Sequence, residues 1–187
     1  MSCSAPVSHR SRHMSMTTLI KGRRVVTDGW QLMPAEQTAA GALPQSGDLI
    51  VPLSVWLSQR DALAARAGRS GVWLQPAEDP AELAKAPPLP ELVAVQFPVF
   101  HDGRGYSTAR LLRERYGFRG ELRAIGDILR DQLFELARCG FDAFALRADQ
   151  DAAAALAAFD DFSEVYQAGV DRGPLFDRRF ALGRRVA

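Results

Sequence analysis

Lysine is nearly missing from this 187-residue chain: of 23 basic residues only Lys21 and Lys85 are lysines, and the others are arginines. With so many alanines beside them, the arginines read first as the coding bias of a GC-rich genome. An arginine-rich stretch is therefore weaker evidence for a functional patch here than elsewhere. Histidine and cysteine are scarce too, at three and two residues. Cys3 and Cys139 form no CxxC pair, which excludes an all-cysteine iron–sulfur site or a zinc ribbon within one chain. A covalent haem motif is absent as well. Two cysteines, one of them in an N-terminal tail, fit a reducing cytoplasm rather than a disulfide scaffold. No apolar run reaches the ~18 residues of a membrane span. The opening "MSCSAPVSHRSRHMSM" is basic and serine-rich but lacks the ~7–15-residue apolar centre of a secretion signal. Residues 1–16 read as a disordered tail. Met14 and Met16 offer alternative starts that would remove His9, His13 and Cys3, leaving His101 as the histidine of the fold. A formal net charge of +1 provides no bulk field toward nucleic acid or an anionic membrane.

What is present is an alternation. Hydrophobic residues at 47% and charged residues at 24% are ordinary for one globular domain, here placed at residues 17–167. "TLIKGRRVVTDGWQLM" has two β-prone runs around Gly22, the mark of a hairpin. "PAEQTAAGALPQSG" is a polar connector. Apolar strand runs follow at "DLIVPL", "GVWLQP", "ELVAVQF", "ELRAIG" and "FDAFALR". The helical patterns "SVWLSQRDALAARAG", "AEDPAELAKA", "YSTARLLRERYG", "ILRDQLFELARCG" and "DQDAAAALAAFDDF" separate and follow them. Asp79 is placed to cap one helix before Pro80, Ser107 or Thr108 another, and Asp127 a third. Gly117 and Gly140 are placed as helix stops. Residues 168–187 read as a loose, arginine-rich tail. Five strand–helix repeats mean a mostly parallel α/β sheet, with strands apolar because both faces are covered. An open three-layer sheet is the first expectation; a partial β/α barrel is the alternative.

In either architecture ligands bind at the carboxyl ends of the strands. Those ends carry His101, Asp102, Gly103, Arg104, Gly105 and Tyr106 after the third strand. Asp127 and, one turn on, Arg130 and Asp131 follow the fourth, and Arg147 and Asp149 the fifth. The glycines of "HDGRGYS" either let backbone N–H groups approach an anion, with Arg104 as a forked counter-charge, or merely shape a tight turn. As a dinucleotide fingerprint the GxG is weak, since Thr108 stands where a third glycine belongs. Arg113, Glu114 and Arg115 are expected to face solvent. Arg123, inside a strand, must reach the edge or pair with a carboxylate such as Asp127 or Asp131. Cys139, at the negative end of a helix, reads as an inert core cysteine. No cofactor or metal set is detectable.

The run "DGRGYSTARLLRERYG", continued by "GELRAIGDILRDQL" and "RCGFDAF", resembles the domain-of-unknown-function 934 family of bacterial proteins, as do "DLIVPLSVWL", "GVWLQP…LVAVQF" and "FSEVYQ". The likeness covers about residues 17–167. Members are commonly encoded beside sulfite reductase and are labelled as oxidoreductases of sulfite reduction. The resemblance thus implies a place in assimilatory sulfur metabolism by association, and carries over no catalytic residue. Known sulfite reductases use siroheme with an iron–sulfur cluster, for which this chain lacks cysteines. Two readings follow: a small oxidoreductase component that holds a sulfur oxyanion at the strand ends, or a non-catalytic partner that assembles with sulfite reductase.

Overall fold

The computed structural model describes residues 17–35 and 43–172. The expected N-terminal tail, part of the connector and most of the expected C-terminal tail lie outside the described residues. Eight strands form one sheet in the order β2-β1-β8-β7-β6-β5-β4-β3. They are β1 (Thr17–Lys21), β2 (Arg24–Asp28), β3 (Gln31–Leu32), β4 (Leu49–Pro52), β5 (Ser70–Leu74), β6 (Leu92–Phe97), β7 (Glu121–Gly126) and β8 (Ala143–Phe144). From β3 to β8 every pairing is parallel. The expected N-terminal hairpin is β1–β2, antiparallel, and β1 adds antiparallel to β8. Its turn is Gly22–Arg23, both at positive φ, the backbone that a two-residue turn needs to match strand twist.

The strand order decides between the two expected architectures. From β3 to β8 the strands follow chain order without reversal. Crossovers of one hand then carry every helix to the same face, which is barrel winding rather than double winding. The burial pattern agrees. Leu49, Val51, Val72, Leu74, Val93, Val95, Phe97, Leu122 and Ala124 share one core with helical Val55, Leu63, Leu83, Leu112, Leu133 and Leu136. The alternate strand positions Ile50, Trp73, Leu92, Ala94 and Ile125 form a second, smaller cluster with Trp30 and Ala35. That second face is the inside of a curl. The edge strands β2 and β3 are joined only by Gly29 and Trp30. Three residue steps span at most ~11 Å, whereas eight strands laid flat would part their edges by ~34 Å. The sheet is therefore a curled half-barrel, with Trp30 packed on its concave face and the Arg69 guanidinium 4.8 Å from the Trp30 ring centre.

The helices are short: α1 (Leu53–Ser58), α2 (Arg60–Ala64), α3 (Ala81–Ala84), α4 (Arg104–Arg110), α5 (Leu133–Arg138) and α6 (Ala152–Ala155). Asp79 does accept the Ala81 N–H at 2.9 Å, and Gly117 and Gly140 take positive φ after their helices, as expected. Two other caps are placed differently. The helix of the "YSTARLLRERYG" pattern begins earlier, at Arg104, so Ser107 and Thr108 lie inside it, and the Thr108 hydroxyl turns back to the Arg104 carbonyl at 3.3 Å. It ends in a π-helical turn over Leu111–Arg115. The next helix opens with a 3-10 turn at Arg130–Gln132, where the Gln132 carboxamide accepts the Leu129 N–H at 2.9 Å, and Asp127 caps nothing.

Arg113 is likewise no solvent-facing residue. Its guanidinium donates to the carbonyls of Gly140, Phe118 and Gly120, each at 2.9 Å, and to Asp142 at 2.9 Å. It thereby ties together the joints that lead into β7 and β8, the end of the barrel opposite the strand tips. Arg123, 2% exposed, points to the concave side. Its partners are Glu121 and Asp28, both at 2.7 Å, rather than the nearer-in-sequence Asp127 or Asp131. Asp28 closes β2, so this ion pair crosses the hollow of the curl toward its open edge. Among the described residues no helix is long and apolar enough to cross a membrane.

Candidate functional site at the strand ends

The carboxyl ends of β6, β7 and β8 lie side by side, because Phe97 pairs with Gly126 and Ala124 with Phe144. Gly126, at φ +104°, turns the chain where a Cβ would strike the Phe97 carbonyl. That turn delivers Asp127. One oxygen of its carboxylate accepts the Phe100 N–H at 3.0 Å, and the other accepts an Arg147 N–H at 2.8 Å. The Arg147 fork also closes on Asp149 at 2.7 and 2.8 Å. This bidentate pairing holds the Asp149 carboxyl down at about 2 and raises the guanidinium pKa.

Asp102 and Arg104 form a closed pair of their own. Asp102 accepts the Arg104 backbone N–H at 3.1 Å and its guanidinium at 2.9 and 2.6 Å. The Arg104 fork lowers the Asp102 carboxyl to about 2. Arg130 turns away from this edge, to Asp161 at 2.9 Å. Tyr106 faces the helical layer, its ring edge-on to Phe97 at 5.5 Å between centroids. Burial raises its pKa, and a hydrogen bond with Gln132 opposes the rise. The expected residues thus divide. Asp127, Arg147 and Asp149 make one linked group at the tips of β7 and β8. His101, Asp102 and Arg104 form the neighbouring β6 loop, joined to that group through Phe100. Arg130 and Tyr106 point elsewhere.

The two glycines of the loop are not there for special turn dihedrals. Gly103 sits at φ −81°, and a Cβ added there would meet nothing within 4 Å, so no special backbone is required. Gly105 lies in α4, where a Cβ would meet the Phe97 ring at 2.5 to 2.9 Å. It is a packing glycine that lets α4 sit close on β6.

Phe100 and Gln132 are not among the site residues expected from sequence. Gln132 is buried, and its amide donates to the Phe100 carbonyl at 3.1 Å. The Phe100 backbone is therefore held on both sides, by Asp127 at its N–H and by Gln132 at its carbonyl, while 45% of the residue stays exposed. Val99 beside it is 42% exposed. The signal in the sequence is the apolar "PVF" placed after, rather than within, the strand run.

A separate cleft of about 460 Å³ opens on the concave side of the same edge, lined by Leu32, Met33, Pro34, Ala35, Trp73, Gln75, Gln96 and Ile125. Trp73 donates its indole N–H to the Met33 carbonyl at 2.9 Å, which fixes the ring.

A family model described as bacterial protein of unknown function (DUF934) matches residues 71–176, more than half of the chain. No match was found among curated proteins or among solved structures.

Proposed function

As the chain belongs to the DUF934 family of bacterial proteins, we propose that it serves sulfite reduction as a partner protein of sulfite reductase, docking through the edge formed by the tips of β6, β7 and β8. The pathway rests on the family resemblance. The mode of action rests on one observation: the Phe100 ring is presented to solvent on a backbone pinned by Asp127 and Gln132. An exposed aromatic whose backbone is already ordered loses little freedom on binding, which is what an interface anchor needs. Val99 extends the apolar patch, and the pairs Arg104–Asp102 and Arg147–Asp127 flank it as a polar rim.

The second reading, a small oxidoreductase component holding a sulfur oxyanion, is favoured by Arg147, whose fork is 45% exposed. An anion there would have to displace Asp127 and Asp149 from the guanidinium. Calorimetric titration of the full chain, first with sulfite and then with sulfite reductase, separates the two. The docking reading expects heat from the reductase at a fixed stoichiometry and none from sulfite. Saturable sulfite binding without reductase binding would replace it with the second reading.

A further inference from the structure

On the concave side, β5 ends at Leu74, which pairs with Val95; Gln75 is the next residue, and β6 runs on to Gln96, which pairs with Ile125 of β7. Alternation along β6 puts Gln96 on the same face as Ala94, and Gln75 and Gln96 both line the concave-side cleft. Two carboxamides and an isoleucine therefore stand together, Gln96 and Ile125 as partners across adjacent strands. They open into the cleft whose floor is Trp73 and Ile125 and whose wall is Leu32, Met33 and Pro34.

Three features of this group point to a ligand. First, neither carboxamide hydrogen-bonds to another described residue, whereas that of Gln132, also at the strand-end edge, is fully engaged. Second, among the described residues no charged side chain lines the cleft, which disfavours an ion of either sign. Third, Gln96 is only half-buried and Gln75 exposed, while Trp73 and Ile125 beneath them are buried. The polar groups thus sit at the mouth and the apolar ones at the base.

We propose that this cleft binds a small, neutral, planar heterocycle with a lactam edge, an N–H beside a C=O. A carboxamide carries one acceptor oxygen and a donor NH₂ in a plane, the complement of that edge. Two carboxamides at the mouth of one cleft can grip one such edge or two. The flat face of the ring lies against Trp73 and Ile125. A cleft of about 460 Å³ is in the range of small-molecule sites, and its position at the carboxyl ends of barrel-wound strands is where such folds bind ligands. The site does not depend on the docking edge, so either proposal stands if the other fails.

The test is an NMR titration of the full chain with 2-pyridone, with toluene and benzoate as the apolar and anionic controls. The expected result is a saturable, shared shift of the Gln75 and Gln96 side-chain amides and the Trp73 indole N–H. Toluene and benzoate should bind at least roughly tenfold more weakly, the equivalent of one or two hydrogen bonds. Gln75→Leu and Gln96→Leu should each weaken 2-pyridone by about tenfold at an unchanged melting temperature. Ile125→Trp, which fills the cleft, should abolish the shift. No saturable shift up to the solubility of 2-pyridone would overturn the proposal, as would equal binding of toluene or benzoate. So would wild-type affinity in both leucine variants.

Discussion

Arg123 carries the largest single-residue consequence. It is 2% exposed, and its guanidinium joins Glu121 of its own strand to Asp28 at the end of the edge strand β2. Removing one partner of a buried ion pair leaves the other charges uncompensated, which costs about 3–5 kcal/mol. Arg123→Ala should lower unfolding stability by that amount in a denaturant titration, and Arg123→Met should recover only the packing part. Glu121 is tied to the same group. Burial alone would raise its pKa, but Lys21 and Arg123 outweigh burial and lower it below the ordinary value of 4.5. A carboxylate lowered in the folded state contributes stability that is present above its unfolded pKa and fades as pH falls through the folded one. Asp48, Asp102 and Asp149 act in the same sense, the last two down to about 2. Asp142, raised by burial, acts oppositely, losing stability as pH rises through its folded value. With four groups against one, stability measured by thermal melts should hold near neutrality and fall between about pH 4.5 and pH 2. In Glu121→Gln that fall should be shallower. Sequence alone marks Arg123 as anomalous but cannot name Asp28, 95 residues away, as its partner. Such a contact exists only once the sheet has curled.

At the level of elements, the joint between β6 and α4 depends on one missing methyl group. A Cβ at Gly105 would press on the buried Phe97 ring, while one at Gly103 would meet nothing. Gly105→Ala should therefore cost about 1–3 kcal/mol through overpacking. Gly103→Ala should be neutral or stabilise by about 0.4–1 kcal/mol, since its φ is ordinary and the unfolded chain loses freedom. Chemical denaturation of the two variants checks the pair, and equal effects would contradict the account. Strands β4 to β8 are legible because each falls in a largely apolar run between turn residues, and the hairpin because Gly22 sits between two β-prone runs, whereas the two-residue β3, Gln31–Leu32, carries no such run. Caps are less so. Asp127 has the right residue type for an N-cap, yet its carboxylate is taken by Phe100 and Arg147, groups that only the assembled sheet brings near. Arg113 looks solvated from sequence because helical periodicity cannot see the carbonyls of Phe118, Gly120 and Gly140 that surround it.

For the whole molecule, the curl follows from connectivity more than from any one contact. Edge strands at opposite ends of the sheet are two residues apart in the chain. Trp30, half-buried in that link, packs with Ile50 and Trp73 across the hollow. Trp30→Ala should destabilise by about 2 kcal/mol, less than a fully buried aromatic. The barrel winding also sends the tips of β6, β7 and β8 to one edge, which is why residues chosen from strand ends alone fall near each other. What the strand-end rule cannot supply is the difference between arginines that are free and arginines already paired. Nor can it reveal that the exposed group held in place there is Phe100. The central claim is that this edge docks a partner. Its most direct test is the dissociation constant between the full chain and sulfite reductase, measured for the wild type and for Phe100→Asp. The account predicts a complex for the wild type and a loss of at least roughly tenfold in affinity for the variant, about 1.4 kcal/mol, at an unchanged melting temperature. Equal affinity in the two proteins, or no complex with either, would contradict it.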